Sequence, residues 1–339
     1  MIIDLRSDTV TKPTPQMKQV MANALVGDDV FGEDPSINEL EKYAANLFGM
    51  EAALFVPSGT MSNQIGIKIH TQPGQDIICD YYSHIYQYEG GGIGMNAGCS
   101  TSLIHSKHGQ FTANDVINHI YPDDIHKPIS RLVSLENTCN KGGGTTWDLN
   151  DISEIKQVCT NNGLAFHLDG ARLFNALVAN NQNPKQFGEL FDTISICLSK
   201  GLGAPVGSIL LGNKKDIHLG RRYRKVLGGG MRQAGYLAAA GLYALTHHID
   251  RLAEDNKKAK EIEEVLNQAN WVKSVIPVET NIVIFEAIDS YKDTQVIKYL
   301  KSKNILISTM GENKVRIVTH LDYTDDMHSK LLEVLANFS

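Results

Sequence analysis

Two short apolar runs, each leading to one charged residue followed by glycine, most constrain the fold that this chain can adopt. Ala165–Leu168 leads to Asp169, and Ile194–Ser199 leads to Lys200. Short apolar runs bounded by glycine are typical of buried strands. In a parallel sheet, the carboxyl ends of the strands border the ligand-binding crevice. We therefore expect Asp169 and Lys200 to lie beside such a crevice.

An aspartate and a lysine in this setting are candidates for chemistry on a carbonyl compound. A lysine partly removed from water can form a Schiff base with an aldehyde, because desolvation frees its amine. Pyridoxal phosphate is the common partner of such a lysine, and an acid keeps its ring nitrogen protonated. Residue type alone favours a helix-capping Asp169 and a solvated Lys200, whereas their positions at strand ends favour a functional pair.

The order of the segments predicts an α/β fold. From Ala53 onward, strand and helix patterns alternate, which predicts a mainly parallel sheet with helices on both faces. Val206–Gly212 follows Lys200 closely and is expected to pair antiparallel to the preceding strand. From His248 the pattern changes to that of a compact α+β unit. We predict an N-terminal arm at 1–15, a large domain at 16–247 and a small C-terminal α+β domain at 248–339.

Composition excludes several classes of function. The 339 residues carry a net charge of −6, so no electrostatic attraction to nucleic acid or an anionic membrane is expected. No apolar run approaches the ~20 residues of a membrane span, and the N-terminus lacks a signal-peptide pattern. The five cysteines are odd in number and form no C-x-x-C, so neither a disulfide framework nor a zinc cluster is indicated, and no metal ligands are predicted. A cytoplasmic protein is the expectation.

A candidate phosphate site follows the strand that begins near Ala53. Ser58, Gly59 and Thr60 precede the helical pattern that begins at Met61. The N–H groups at a helix start, two hydroxyls and a glycine suit a phosphate, although S-G-T is also an ordinary N-cap. The chain has no G-x-G-x-x-G and no Walker lysine here, which disfavours dinucleotide or ATP binding.

Two further side chains have a functional and a structural interpretation. His84 could stack on a flat cofactor or be a capping or core histidine. Arg316 lies in the segment Val315–Val318, where alternation places it on the face opposite Val315 and Ile317. Its guanidinium is suited to binding a carboxylate, and a surface salt bridge is the alternative.

The segment 221–245 has two features whose role the sequence leaves open. Arg221–Lys225 is a basic run that leads to three glycines and Arg232. Such a run is usually a solvated face, and the sharper interpretation is a phosphate-facing loop that reaches across a subunit boundary. Gln233–Leu245 is alanine-rich and almost entirely apolar, which indicates deep burial or an oligomer interface.

Eight segments in order resemble one known family. They read L-R-S-D-T-V-T-K-P-T at 5–14, D-D-V-F-G-E-D-P at 28–35, P-S-G-T-M-S-N at 57–63, S-H-I-Y-Q-Y-E-G-G at 83–91, L-E-N-T-C-N at 135–140, H-L-D-G-A-R at 167–172, L-S-K-G-L-G-A-P-V-G-S at 198–208 and L-G-G-G-M-R-Q-A-G at 227–235. With them the chain resembles the low-specificity L-threonine aldolases, pyridoxal-phosphate-dependent lyases of the aspartate-aminotransferase fold type (fold type I) in the beta-eliminating lyase group.

The resemblance implies a fold and an activity. The fold would be a mainly parallel seven-stranded sheet flanked by helices, with a smaller C-terminal α+β domain. The activity would be cleavage of L-threonine or L-allo-threonine to glycine and acetaldehyde through an external aldimine and a glycine quinonoid. A homotetramer with active sites shared between subunits is also implied. The alternatives are a phenylserine aldolase, a β-eliminating lyase or a racemase on the same fold, and a non-catalytic pyridoxal-phosphate-binding protein.

The resemblance also implies roles for individual residues. Lys200 would form the Schiff base with the cofactor, and Asp169 would pair with its ring nitrogen. Arg172 would flank the ring hydroxyl, and His84 would stack on the ring. The phosphate would be held by Ser58, Gly59 and Thr60, with Lys225 and Arg232 contributing to it from a neighbouring subunit. For the substrate, Ser7 and Arg316 would hold the carboxylate with Arg172 nearby, His126 would lie near the β-hydroxyl, and Glu89 would lie near the cofactor hydroxyl or the cleft entrance. The base that takes the hydroxyl proton would be His84, His126 or a water between them.

Overall fold

The computed structural model describes residues 2–311 and 313–338 and divides the strands between a large and a small sheet. Met1, Glu312 and Ser339, which fall in the predicted arm and small domain, lie outside the described residues. The strands are β1 (Ile3–Asp4), β2 (Ala52–Val56), β3 (Asp76–Asp80), β4 (Ser100–Ile104), β5 (Ser130–Glu136), β6 (Ala165–Gly170), β7 (Thr193–Cys197), β8 (Ser208–Gly212), β9 (Val272–Val275), β10 (Ile282–Ala287), β11 (Ile305–Leu306), β12 (Ser308–Gly311) and β13 (Lys314–Val318).

Helices cover both faces of the large sheet and flank the small one. They are α1 (Pro15–Ala22), α2 (Pro35–Phe48), α3 (Gly59–His70), α4 (His84–Gln87), α5 (Ala113–His119), α6 (Leu149–Asn161), α7 (Leu173–Asn180), α8 (Pro184–Leu190), α9 (Lys214–Val226), α10 (Gly235–His247), α11 (Leu252–Gln268), α12 (Asp293–Ser302) and α13 (Asp325–Ala336). Short 3-10 turns at Asp8–Val10 and Asp29–Phe31 and a π-helical turn at Ile93–Ala97 join them. None of the helices in these described residues is long and apolar enough to cross a membrane.

The large sheet confirms the predicted mainly parallel, seven-stranded architecture. Its strand order is β2-β8-β7-β6-β5-β3-β4. Strands β3 to β7 are mutually parallel where they pair, whereas β8 runs antiparallel to both of its neighbours, β7 and β2. The antiparallel return predicted for Val206–Gly212 is therefore confirmed. All five residues of β7 and all five of β8 are buried, as expected for central strands covered on both faces.

The alanine-rich helix α10 is buried within the chain itself. It packs against α1 and α2, and Ala238, Ala240 and Ala244 are fully buried. A Cβ at Gly241 would lie 2.7 Å from Leu198 Cδ1, so only glycine lets the helix approach the segment that leads to Lys200 this closely. The apolar pattern predicted either deep burial or an oligomer interface. Deep burial accounts for the face of α10 that packs against α1 and α2.

The C-terminal unit forms its own sheet, in the order β12-β13-β10-β9. Its antiparallel strands and α11, α12 and α13 enclose a separate apolar core. The N-terminal arm joins this unit, because β1 pairs in parallel with β11 and the side chains of Ile3 and Leu5 lie in the same core. The boundary at 247/248 stays a prediction.

Candidate active site

The register of the large sheet gathers several polar side chains at one edge. Glu136 on β5 is paired with Asp169 on β6, and Asp169 is paired with Ser195 on β7. Cys197, the last residue of β7, lies opposite Ser208 of β8 and three positions before Lys200. Because parallel strands end at a common edge, Glu136, Asp169 and Lys200 emerge on the same side, as the sequence predicts for the last two.

This edge opens into a cleft between the two sheets. The cleft has a volume of about 380 Å³ and is lined by residues of both units and of the N-terminal arm. The lining residues are Ser7, Thr9, His84, Tyr88, Asn140, Lys141, Arg172, Lys200, Ser308, Thr309, Met310 and Arg316. The structure therefore brings five of the predicted site residues, Ser7, His84, Arg172, Lys200 and Arg316, to one cleft.

The Lys200 amine is available for chemistry. Among the described residues, no side chain or carbonyl forms a hydrogen bond or ion pair with Lys200 Nζ. The backbone at this position is held instead, since Thr11 Oγ1 donates to the Lys200 carbonyl at 2.9 Å. The loop thus presents a free amine from a fixed backbone position.

Arg172 forms a buried ion pair with the arm. Its Nε and one terminal nitrogen each donate to Asp8 at 2.7 Å. Asn281, the residue directly before β10, also donates to Asp8 from its Nδ2, at 3.2 Å. Burial alone would raise the pKa of Asp8, but Arg172, Lys200 and Asn281 together lower it to about 2. The pair joins the arm, the large sheet and the small sheet at the cleft.

A network of amide and carboxylate groups underlies the cleft. Asn63 Nδ2 donates to both Asp169 Oδ2, at 2.9 Å, and Glu89 Oε1, at 2.8 Å. Gln64 Nε2 donates to the other oxygen of Glu89 at 2.6 Å, and His84 Nδ1 lies 3.0 Å from Glu89 Oε1. Burial lowers the pKa of His84, but Glu89, Asp169 and Glu136 raise it by more. These bonds fix the orientation of Asp169 and of the His84 ring.

The network continues between α3 and the sheet through a buried histidine. Burial lowers the pKa of His167 to about 4, so the ring is neutral. Its Nε2 lies 3.2 Å from Asn63 Oδ1, which can only accept, so this nitrogen carries the proton. Its Nδ1 then accepts from the Thr193 hydroxyl at 2.8 Å, and that hydroxyl lies 3.0 Å from His70 Nε2. The chain fixes the amide of Asn63 in the orientation that lets it donate to Asp169.

Glu136 is a fully buried carboxyl group at the same edge. It accepts hydrogen bonds from the backbone N–H groups of His84, at 2.8 Å, and Asn140, at 2.9 Å. Burial and the neighbouring Asp169 raise the pKa of Glu136 to about 7, in spite of these bonds. A glutamate in an unfolded chain titrates at pH ~4.3. Between that pH and the pKa of Glu136 in the folded protein, the native state holds a proton that the unfolded chain has released.

This raised pKa predicts how stability depends on pH. The free energy of unfolding should fall as the pH rises through that window, because the unfolded state then gains from ionising Glu136. Glu136→Gln removes the titration but presents a single acceptor oxygen to two backbone N–H groups, a cost that does not depend on pH. In the cofactor-free protein, its effect on that free energy should therefore be more favourable at about pH 8 than at about pH 4, by roughly 1–3 kcal/mol. Urea unfolding at both pH values measures the difference. An equal effect at the two pH values would contradict the assignment.

Arg316 is placed to bind an anion in the cleft. It lies on β13, between the buried residues Val315 and Ile317, as the predicted alternation requires. One terminal nitrogen donates to Asn140 Oδ1 at 2.8 Å and the other to the Arg6 carbonyl at 3.0 Å, whereas no residue that the structure describes accepts from the buried Nε. Burial and Arg172 lower the pKa of Arg316 to about 10, so it stays charged at neutral pH. Ser7, which lines the same cleft, caps the 3-10 turn of the arm.

The predicted phosphate site lies at the start of α3. Ser58 is the N-cap residue, and its side chain accepts from the Met61 N–H. A Cβ at Gly59 would lie 2.6 Å from Cys197 Sγ, so glycine lets the helix start beside the end of β7. The first N–H groups of a helix have no intrahelical partners, and here they lie beside the end of β7, three residues before Lys200. Thr60 is exposed beside them.

Three predicted residues lie away from the cleft of their own chain. His126 is in the loop before β5, at the opposite end of that strand, and its side chain is 80% exposed beside Asp124. Arg232 pairs with Asp28, and Lys225 is exposed near the end of α9. The basic run itself is not a uniformly solvated face, because Arg224 is buried and donates to Asp29 at 2.5 Å and to the Phe55 carbonyl at 2.7 Å.

Sequence reasoning assigned no role to three residues that the structure places at the site. Asn63, Glu136 and Asn140 contact Asp169, His84 and Arg316 respectively. All three lie inside segments that carry the family resemblance, and Glu136 ends its strand as Asp169 does. The strand-end criterion applied to Asp169 would have found Glu136 as well.

These groups fit pyridoxal phosphate. Lys200 offers an unpaired amine, the start of α3 offers N–H groups for a phosphate, and Asp169 offers a buried carboxylate whose orientation is fixed by Asn63. This fold with this set of side chains is that of the pyridoxal-phosphate-dependent enzymes of fold type I.

Comparison with known proteins identifies the family to which the chain belongs within this class of enzymes. The family model described as "Beta-eliminating lyase" matches residues 4–290. The low specificity L-threonine aldolase of Escherichia coli (strain K12) is 41% identical over 338 residues, covering 99% of this chain and 98% of that protein. The probable low-specificity L-threonine aldolase 2 of Arabidopsis thaliana is 41% identical over 330 residues, covering 95% and 93%. The chain belongs to the beta-eliminating lyase family and is similar over almost its whole length to these threonine aldolases.

A solved structure shows the same fold. The threonine aldolase of Leishmania major superposes with a TM-score of 0.85, covering 98% of each chain, at 20% sequence identity. At this identity the match concerns the architecture, which agrees with the mainly parallel sheet and the smaller C-terminal sheet described above.

Proposed function

We propose that this chain is a pyridoxal-phosphate-dependent aldolase that cleaves L-threonine and L-allo-threonine to glycine and acetaldehyde. The observation that carries the proposal is the presence of Lys200, His84 and Arg316 in one cleft, with a free amine on the first and an unpaired Nε on the last. The relatives named as threonine aldolases, at 41% identity over almost the whole chain, support it.

The cofactor would be held at three places. Lys200 would bind its aldehyde carbon, Asp169 its ring nitrogen, and Ser58, Gly59 and Thr60 its phosphate, while His84 would cover the ring and Arg172 would lie beside its hydroxyl. When bound, pyridoxal phosphate supplies an electron sink for negative charge that develops at the α-carbon of an amino acid. Asp169 contributes a fixed negative charge in a buried setting, where its electrostatic effect is strong.

The substrate would be held by its carboxylate. Arg316 retains its charge at neutral pH, and it lines the cleft that Ser7 also lines. A guanidinium binds a carboxylate with well-defined geometry, which orients the bonds around the α-carbon. With the carboxylate at Arg316 and the amino group near Lys200, the remaining cleft wall receives the side chain.

His84 is the proposed base for the β-hydroxyl proton. It lines the cleft, and Glu89 fixes its ring from the other side. A carboxylate partner raises the pKa of His84 and so strengthens it as a proton acceptor, although it also keeps the ring protonated at low pH. A positioned base contributes typically ~10²–10⁴ in rate. Activity should therefore be lost as the pH falls below the pKa of His84.

We also propose an oligomer in which active sites are shared. His126, Lys225 and Arg232 are exposed and lie outside the cleft of their own chain, so their predicted roles require a neighbouring copy. His126 would then lie near the β-hydroxyl and the two basic residues near the phosphate. The five cysteines are all buried and unpaired, which is compatible with the reducing cytoplasm proposed for the protein.

The test is a product assay on the purified protein with added pyridoxal phosphate. We expect equimolar acetaldehyde and glycine from L-threonine and from L-allo-threonine, with acetaldehyde measured by coupled reduction. Formation of an oxo acid and ammonia instead would indicate β-elimination. The absence of acetaldehyde from both diastereomers in the presence of bound cofactor would overturn the proposal.

A further inference from the structure

A second cavity adjoins the cleft on the side of the small sheet. It has a volume of about 460 Å³, and Lys141 and Met310 line both spaces. The other lining residues come from the β4–α5 connection, the small sheet and the turn after β3. They are Tyr82, Ser106, Lys107, His108, Ile276, Ile284, Gly311 and Lys314. The two spaces therefore meet at Lys141 and Met310, and a ligand that passes these side chains from the cleft would enter the second cavity.

Basic residues line this cavity, although the protein as a whole has a negative net charge. Its lining includes Lys107 and Lys141, and none of the lining residues that the structure describes is acidic. The chain as a whole has a net charge of −6, so this concentration of positive charge is local. Ile276, Ile284 and Met310 supply an apolar wall beside the lysines. A short hydrocarbon chain that ends in an anion matches this combination.

His108 is held in an unfavourable backbone conformation at this cavity. Its φ is +60°, in the left-handed region. Thr145 Oγ1 donates to its carbonyl at 3.1 Å, and a Cβ at Gly142 would lie 2.0 Å from the same oxygen. Burial and the positive charge of Lys107 lower the pKa of His108, and Glu279 acts in the opposite direction. Strained residues held by their surroundings are concentrated at functional sites.

We propose that this cavity is a subsite for an anionic group at the far end of the substrate side chain. The chemical class is a β-hydroxy-α-amino acid whose side chain ends in a carboxylate or a phosphate monoester, together with the corresponding anionic aldehyde. Lysine ammonium groups attract either anion as point charges, and charge complementarity of this kind gives specificity. The inference rests on the proposed aldolase function, because the cleft must first bind the amino acid portion.

The experiment measures aldehyde preference in the reverse reaction, the condensation with glycine, on the holoenzyme. Succinic semialdehyde is compared with butanal, and glyceraldehyde phosphate with glyceraldehyde. Lys107→Glu reverses one charge at a residue that lines the second cavity but not the cleft. Lys298→Glu, at an exposed position of α12, makes the same change of net charge away from both spaces.

In Lys107→Glu, the ratio of kcat/KM for the anionic aldehyde to that for its neutral partner should fall about tenfold, because one exposed attraction is replaced by a repulsion. Lys298→Glu should leave this ratio unchanged. The rate of threonine cleavage should stay within about twofold of that of the unmodified enzyme in both variants. A fall with only one of the two anions supports the subsite and identifies its ligand. An unchanged ratio with both anions overturns the subsite, whereas absence of threonine cleavage in the unmodified enzyme overturns the proposed function instead.

Discussion

Replacement of Lys200 by alanine should abolish threonine cleavage, with a loss of at least about 10⁴-fold, because covalent attachment is a larger contribution than the ~10²–10⁴ of a single base. Lys200 is the cleft residue whose amine has no partner among the described residues. Without it, the cofactor has no covalent bond to the chain, so the Schiff-base absorption of the purified protein should also disappear. Acetaldehyde release and the visible absorption spectrum measure the two effects.

Lys298→Ala is the matched control, since it removes a lysine from the exposed face of α12. It should retain both the activity and the colour of the unmodified enzyme. Borohydride reduction followed by peptide mapping should place the pyridoxyl group on the peptide that contains Lys200. A fully active Lys200→Ala variant, or an adduct on another lysine, would refute the assignment.

Replacement of Arg172 by leucine should destabilise the protein by about 3–5 kcal/mol, because it leaves the buried Asp8 carboxylate without its main partner. The expected loss is large relative to the ~5–15 kcal/mol stability of typical proteins. Urea unfolding monitored by fluorescence measures it. The double variant Asp8→Asn, Arg172→Leu removes the charge together with its partner and should recover part of the lost stability without recovering activity.

The same ion pair predicts a dependence on acid. The pKa of Asp8 is about 2 in the folded protein, against ~3.9 in an unfolded chain. Its contribution to stability is therefore present above pH ~4 and is lost as the pH falls from about 4 towards 2. Asp8→Asn should unfold with less pH dependence in this window than the unmodified protein. A double variant as unstable as Arg172→Leu alone would show that the buried charge is not the cause.

Local sequence patterns were sufficient to predict the strands that carry the site residues. The apolar runs before Asp169 and Lys200 predicted two strand ends at one edge, and the short return to Val206–Gly212 predicted the antiparallel β8. The alternation around Arg316 predicted which face the guanidinium occupies. Each of these inferences uses only neighbouring residues, since strand alternation and turn length are local properties.

Contacts between distant segments could not be predicted in this way. Asp8 and Arg172 are separated by 164 positions, and Asn63 and Asp169 by 106, so no periodicity relates them. His126 was assigned to the site through the family resemblance, and its place there stays a prediction because it lies at the far end of β5 in its own chain. The buried role of Arg224 depends on Asp29 and β2, which the basic run alone does not reveal.

The N-terminal arm ties the completion of the cleft to segments that follow it by about 300 residues. Ile3 pairs with Ile305, the Arg6 carbonyl accepts from Arg316, and the Lys12 N–H donates to Asp322 across 310 positions. A ribosome releases the arm long before these partners exist, and contacts so distant in sequence form slowly. Until residue 322 has emerged, the arm lacks its partners in the C-terminal unit, so nascent chains should complete the cleft, and retain cofactor, only after that point.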